Sequence, residues 1–311
     1  MSRSGQHAAA GRGGAAIHDL GYKRYLGTRR PQSTRWRVLV KNAVSTSWRG
    51  WWRMKLWVIG SAITTVGIGV PMYVSREKFI EEVLRRVGTG VRWADALLPF
   101  SFQFFAALAF ILAATAVSGA VARDLRAGAF EFYFSRPVRP LDYMLGKVVG
   151  SALVVATALL AGPLLLSLYR IGLSRDLDEV LPALALVPRM ALVGAAGTVA
   201  FAVVALAFSS LSSRPRLTTS LWVAFYLLFG GTARLLSEVL GSDDLSALSL
   251  PRAVEGLAYG VFQIHLAALP GFDREPGLAA SYASLLLYTA AGLIVLHVQV
   301  RRAERAGLGG G

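Results

Sequence analysis

The chain has 311 residues, of which 54% are hydrophobic and only 16% charged, with a mean hydropathy of +0.51. Soluble domains carry about 25% charged residues, so this balance excludes a string of soluble domains and indicates one polytopic membrane domain. The lack of cysteine excludes disulfide frameworks, thiolate metal sites and cysteine nucleophiles, and the net charge of +15 lies between apolar runs, which points to a membrane and not to nucleic acid.

Residues 1–34 are rich in Gly, Ala, Ser and Arg and lack an apolar period, the composition of a disordered basic tail. Arg29-Arg30 is followed by Pro31 and Gln32, where a twin-arginine signal needs apolar residues. The first long apolar run begins near Leu56, so no cleavable signal peptide is expected. Over residues 35–55 a helical wheel gathers Trp36, Leu39, Val40, Ala43, Val44, Trp48 and Trp51 on one face. Arg35, Lys41, Arg49 and Arg53 fall mostly opposite. This pattern predicts an amphipathic helix at the headgroup boundary, with indole rings as anchors and cations on anionic lipid.

Six segments approach the roughly 20 apolar residues that cross a bilayer: 56–74, 99–121, 148–169, 188–211, 217–236 and 279–298. In lipid such runs close their own backbone hydrogen bonds, so they are helices. The fold class is therefore all-α and polytopic, with a six-span domain over 56–300 and a tail over 301–311. Pro71 and Pro163 are expected to kink the first and third spans, and Pro188 to open the fourth. Phe79, Ile80, Val83 and Leu84 against Arg and Glu suggest an outer amphipathic helix at 76–87. Residues 256–269 are apolar but too short to cross, which favours an outer re-entrant or interfacial helix before the last span.

Orientation follows from the basic residues. Segments 1–55, 122–147, 212–216 and the C-terminal tail hold 22 of the 33 Lys and Arg but only 5 of the 18 Asp and Glu. The bias predicts that these segments and both termini are cytoplasmic, in a multi-pass protein of the bacterial inner membrane.

Sites for chemistry are absent from the sequence. Gly146-Lys147 is followed by Val148, and no glycine stands five residues before Gly146, so no Walker A loop exists. HExxH, paired-cysteine and GxSxG motifs are missing, and His7, His18, His265 and His297 are scattered. No metal site, catalytic residue or cofactor is expected in this chain, which does not read as an enzyme. Within the spans Arg189 can snorkel outward, and Arg234 stands one turn before Glu238 as an interfacial ion pair. The spans otherwise hold only mild polarity (Gln103, Thr64, Thr65, Thr198), which argues against an ion-coupled carrier. A transporter built this way must take its energy from a partner.

The stretch 122–147, ARDLRAGAFEFYFSRPVRPLDYMLGK, is where that partner could dock. It opens with Arg123, Asp124 and Arg126, continues through Phe130, Phe132, Tyr133 and Phe134, and breaks at Pro137 and Pro140. Its aromatics suit either a cleft in another protein or an aromatic belt at the membrane boundary.

Arg123-Asp124, Gly128, Glu131, Ser135-Arg136-Pro137-Val138, Tyr143 and Gly146-Lys147 resemble the pattern after the second span of ABC-2 type permeases, the membrane subunits of ATP-binding-cassette exporters. Ala129 stands where that pattern has Thr, and Phe132-Tyr133-Phe134 where it has leucines. With the six spans and the amphipathic N-terminal helix, the resemblance covers about residues 35–300. It implies a separate ABC ATPase subunit that binds ATP and magnesium, and a second permease subunit, with the second and fifth spans near the pair axis. It also implies that 122–147 holds a short cytoplasmic coupling helix, whose docking set is Arg123, Asp124, Arg126, Gly128, Glu131, Arg136 and Pro137, with Phe130 and Phe134 among the anchors. The helix bearing Trp36, Leu39, Lys41, Trp48, Trp51 and Arg53 would lie on the inner surface in contact with lipid. Largely apolar spans suit an amphipathic or lipid-like cargo. A membrane anchor or sensor that recruits an ATPase without transporting is the alternative reading.

Overall fold

The computed structural model describes residues 34–77, 93–134, 138–264 and 275–308. Every regular element among them is helical, and six helices are long and apolar enough to cross a membrane. Helix α1 (Trp36–Arg49) precedes the first span, α2 (Trp51–Val74). The second span is α3 (Trp93–Leu112), continued by a π-helical turn (Ala113–Val117) and by α4 (Ala120–Arg126). After the short α5 (Ala129–Phe134), the third span runs through α6 (Pro140–Leu159) and α7 (Ala161–Gly172). The fourth comprises α8 (Leu177–Leu184) and α9 (Leu186–Ser210), and the fifth is α10 (Pro215–Leu240). A 3-10 turn (Asp243–Leu248) and α11 (Leu250–Phe262) lead to the sixth span within α12 (Leu278–Leu308).

The number of spans is the expected one, but several helices start earlier than hydropathy suggests. The third span begins at Pro140, not Val148, because termini are set by capping and not by apolarity. Pro140 needs no hydrogen-bond acceptor in the first turn, and the Asp142 carboxylate accepts the Arg139 N–H at 3.3 Å. Lys147 thereby lies inside the helix instead of at its mouth. The third span breaks at Leu160 (φ −114°, ψ −50°), just before Pro163, whose missing N–H is tolerated in the first turn of α7.

The amphipathic helix is shorter than the expected 35–55. It stops at Arg49, Gly50 interrupts the chain, and Trp51 and Arg53 begin the first membrane helix. The outer apolar helix is likewise displaced, to Leu250–Phe262 instead of 256–269. Arg252 and Glu255 pair with each other at 2.9 Å, so their charges do not end the helix at its apolar boundary. At 1.5 Å per residue it covers about 20 Å, too little for a crossing of roughly 30 Å. The expected tail up to residue 33 and the expected outer helix beyond residue 77 lie outside the described residues.

Helix α9 forms the centre, packed against α6, α11 and α12. The core extends through the second span, where Leu98, Phe102, Phe105 and Leu112 are fully buried. The first and fifth spans sit at the periphery. In α10 only Thr218, Trp222 and Ala233 are buried, and Trp222 fastens the helix by donating to the Phe110 carbonyl at 3.2 Å. The ends of the first four spans away from α1 carry two ion pairs that hydropathy did not announce. Arg170 binds Asp95 at 2.7 Å with its side chain 5% exposed, and Arg76 binds Glu179 at 2.9 Å. Arg234 and Glu238 form the expected pair, at 3.6 Å.

Helix α1 is not only a surface float. Its Leu39–Ala43 face packs on α6, where a Cβ at Gly146 would lie 2.5 Å from Leu39 Cβ, and one at Gly150 would lie 2.6 Å from Ala43 Cβ. These two glycines let the helix backbones approach closely. Gly146→Leu is expected to push α1 off α6 at a cost of about 1–3 kcal/mol. The natural lack of cysteine permits the check, since a disulfide between cysteines introduced at Ala43 and Ser151 should form less readily in the Gly146→Leu chain.

Candidate functional site at the basic face

One end of the bundle gathers α1, the α4–α5 segment, the start of α6 and the Arg-bearing end of α12. The π-helical turn shifts the register of the second span, so α4 starts anew after Gly119 with unsatisfied N–H groups. The Ser209 hydroxyl of α9 accepts two of them, from Val121 at 2.9 Å and Ala122 at 3.2 Å. Ser118 and Thr219 share a hydrogen bond of 2.8 Å, which ties the same turn to α10. Ser209→Ala removes a buried cap and is expected to cost about 1–2 kcal/mol. Hydrogen exchange at the Val121 and Ala122 amides should accelerate accordingly.

Gly128 then turns the chain between α4 and α5 with φ +63°, and nothing lies within 4 Å of a Cβ placed there. The requirement is thus for left-handed backbone and not for space. Beyond the turn the side chains divide by direction. Phe130 is buried (5% exposed) with its ring 4.9 Å from that of Tyr143, while Phe132 is 57% exposed. Tyr133 packs at 5.7 Å from the Tyr143 ring, and burial followed by the Asp124 charge raises its phenol above the usual value. Phe130 therefore anchors the segment from within, and Phe132 is the aromatic offered outward. Arg123, Arg126, Gly128 and Glu131 are exposed. Arg136 and Pro137 lie outside the described residues, as does the side chain of Phe134.

The centre of the site is Asp124. One carboxylate oxygen accepts the Tyr143 hydroxyl at 2.7 Å and meets Lys147 Nζ at 2.7 Å. Lys147, with its side chain 7% exposed, also donates to the Ala120 carbonyl at 3.4 Å and sits 5.6 Å over the Tyr143 ring. A charge this deep needs such satisfaction, since an unpaired ion out of water is costly. The effect is mechanical. Asp124 in the second span and Tyr143 and Lys147 in the third hold the two ends of the loop together, and α5 touches α12 as well.

Of the expected surface set on α1, Leu39 is buried against α6, while Lys41 and Trp48 are exposed. Trp36 is half-buried with the Arg37 guanidinium 5.7 Å from its ring centre. The side chains of Trp51 and Arg53 lie outside the described ones.

Residues 39–252, more than half of the chain, match the family described as ABC-2 family transporter protein. The chain belongs to that family. It is a membrane permease of an ABC transporter, and the family implies partnership with an ABC ATPase subunit. No curated protein matches the chain. Asp124, Tyr143 and Lys147 all belong to the permease pattern, which does not by itself predict a contact between them. Asp124 and Lys147 stand at opposite ends of the loop that holds the aromatic run, among other charges that hide the pairing. Ser209 carried no signal, since nothing in its sequence context distinguishes a hydroxyl that caps another helix.

Proposed function

We propose that this permease is the transmembrane subunit of an ABC exporter, and that α4–α5 is the coupling element on which a separate cytoplasmic ATPase docks. The observation that supports this reading is the two-sided build of the segment. Its inner side is fastened to the second, third, fourth and sixth spans through Asp124, Tyr143, Lys147, Ser209 and the contact with α12, while Arg126, Glu131 and Phe132 face outward. A push on the outer side would be carried into the bundle as a unit, because packed interiors yield little. The excess of Lys and Arg on this face supports a cytoplasmic orientation for it, and for both termini, in a bacterial inner membrane.

A second permease subunit would cover the peripheral spans. The first and fifth spans are the most exposed, and the second still turns Phe104 and Ile111 outward, which supports a pair interface on this side of the bundle. The apolar character of these exposed helices suits an amphipathic or lipid-like cargo moved along them. The test is reconstitution in vesicles with co-expressed ABC ATPases. ATP-dependent movement of a fluorescent lipid-like substrate across the bilayer is the expected result. An ATPase that binds the permease and hydrolyses ATP, with no substrate displaced, would leave a recruiting anchor as the function instead.

A further inference from the structure

A cavity of about 450 Å³ opens at the seam between α1, the π-helical turn and the base of α6. This volume falls within the roughly 300–1,000 Å³ of small-molecule sites. Its polar lining comprises Asn42 and Thr46 from α1, Arg123 and Asp124 from α4 and Lys147 from α6. Its apolar lining includes Trp57, Leu112 and Val154 of the first three spans. We infer that this cavity binds an anionic phospholipid, with its phosphate between Arg123 and Lys147 and its acyl chains leaving along the apolar lining.

Three features carry the inference. Two cations against one carboxylate leave the cavity with a net positive charge, on a face where basic residues already dominate. Basic pockets between membrane helices at headgroup level are suited to anionic lipid. The Ser47 and Thr115 hydroxyls donate to the Ala43 and Ile111 carbonyls at 3.0 Å each, so their oxygens serve the cavity as acceptors and match the hydroxyls of a polyol headgroup. The third feature is location. The wall includes Thr115, Ala116 and Val117 of the π-helical turn, a distortion that costs regular hydrogen bonds and is frequent at binding sites. A lipid seated here would touch the amphipathic helix and the Asp124–Lys147 pair at once. The inference does not depend on which ATPase docks or on what is transported.

The test is native mass spectrometry of the purified full chain, titrated separately with palmitoyl-oleoyl phosphatidylglycerol, the corresponding phosphatidylcholine, and inorganic phosphate. Phosphatidylglycerol should be retained in preference to phosphatidylcholine, and inorganic phosphate should not bind in the same concentration range. Arg123→Gln should weaken phosphatidylglycerol about fivefold, the usual effect of one basic residue near a membrane surface. Thr46→Phe, at an exposed α1 position that tolerates bulk, should fill the cavity and abolish retention while the melting temperature holds. Arg305→Gln, a charge change at the far end of α12, should retain lipid as the unaltered chain does. Equal retention of both lipids, unchanged retention in Arg123→Gln and Thr46→Phe, or phosphate binding as tight as that of the lipid would overturn the assignment.

Discussion

Lys147→Met is expected to lower the stability of the purified protein by about 3–5 kcal/mol, the cost of breaking a buried ion pair from one side. The loss comes from what remains. Asp124 would lose its Lys147 partner in a place where only 17% of its side chain meets solvent, and would keep the hydrogen bond from the Tyr143 hydroxyl. The methionine itself fits well, having similar length and no polar group to satisfy. The check is a double substitution. Asp124→Asn in the Lys147→Met background should recover most of the lost stability, because replacing both partners of a buried pair is often close to neutral. Thermal unfolding in detergent reads both variants. If Lys147→Met alone melts with the unaltered chain, water reaches the pair and the second and third spans are not fastened there.

The recovery has a second use, since it separates holding from transmitting. The neutral pair restores packing but not the short charged contact, so α4 and α6 would be near each other without being locked. Full stability with reduced stimulation of a partner ATPase would assign the charge pair to transmission. Full stability with full stimulation would leave packing by Phe130 and Tyr133 on Tyr143 as the mechanical link.

How much of this was legible in the sequence depends on the distance over which each feature is decided. Spans are decided within some 20 residues by the cost of leaving water, and hydropathy found all six. Helix starts are decided by a few capping contacts. Hydropathy therefore missed the two turns from Pro140 to Lys147, and with them the depth of Lys147. The Gly146 and Gly150 spacing was visible, but such spacing is common in lipid, and only the fold shows that Leu39 and Ala43 of α1 occupy it. The Arg170–Asp95 pair joins residues 75 apart, each at the edge of an apolar run, and neither edge announces its partner. The direction of each aromatic in α5 was open for a similar reason. Over six residues no period emerges, and the contact with Tyr143 decides that Phe130 turns in while Phe132 turns out.

That division yields the second large effect. Given docking at α5, Glu131→Arg should weaken ATPase association at least tenfold and lower its stimulation by the permease, while membrane insertion and melting stay unchanged. Glu131 is exposed on a six-residue helix, so its reversal disturbs no internal contact that the core depends on. At an interface the same reversal brings like charges together, at a cost of several kcal/mol. Phe132→Ala should also weaken association, by about 2 kcal/mol if its ring is a central anchor. Salt distinguishes the two contributions. Charge contacts at a rim are screened over about 10 Å at 0.1 M ionic strength, whereas burial of an aromatic ring is not. An affinity that falls steeply with salt in the unaltered chain and turns flat in Glu131→Arg would show that the charge holds the partner. An affinity flat in both, and lost in Phe132→Ala, would give that role to the ring. If neither substitution changes ATPase stimulation in the reconstituted complex, the partner does not dock on α5, and the fastening of this segment to four spans must serve the fold alone.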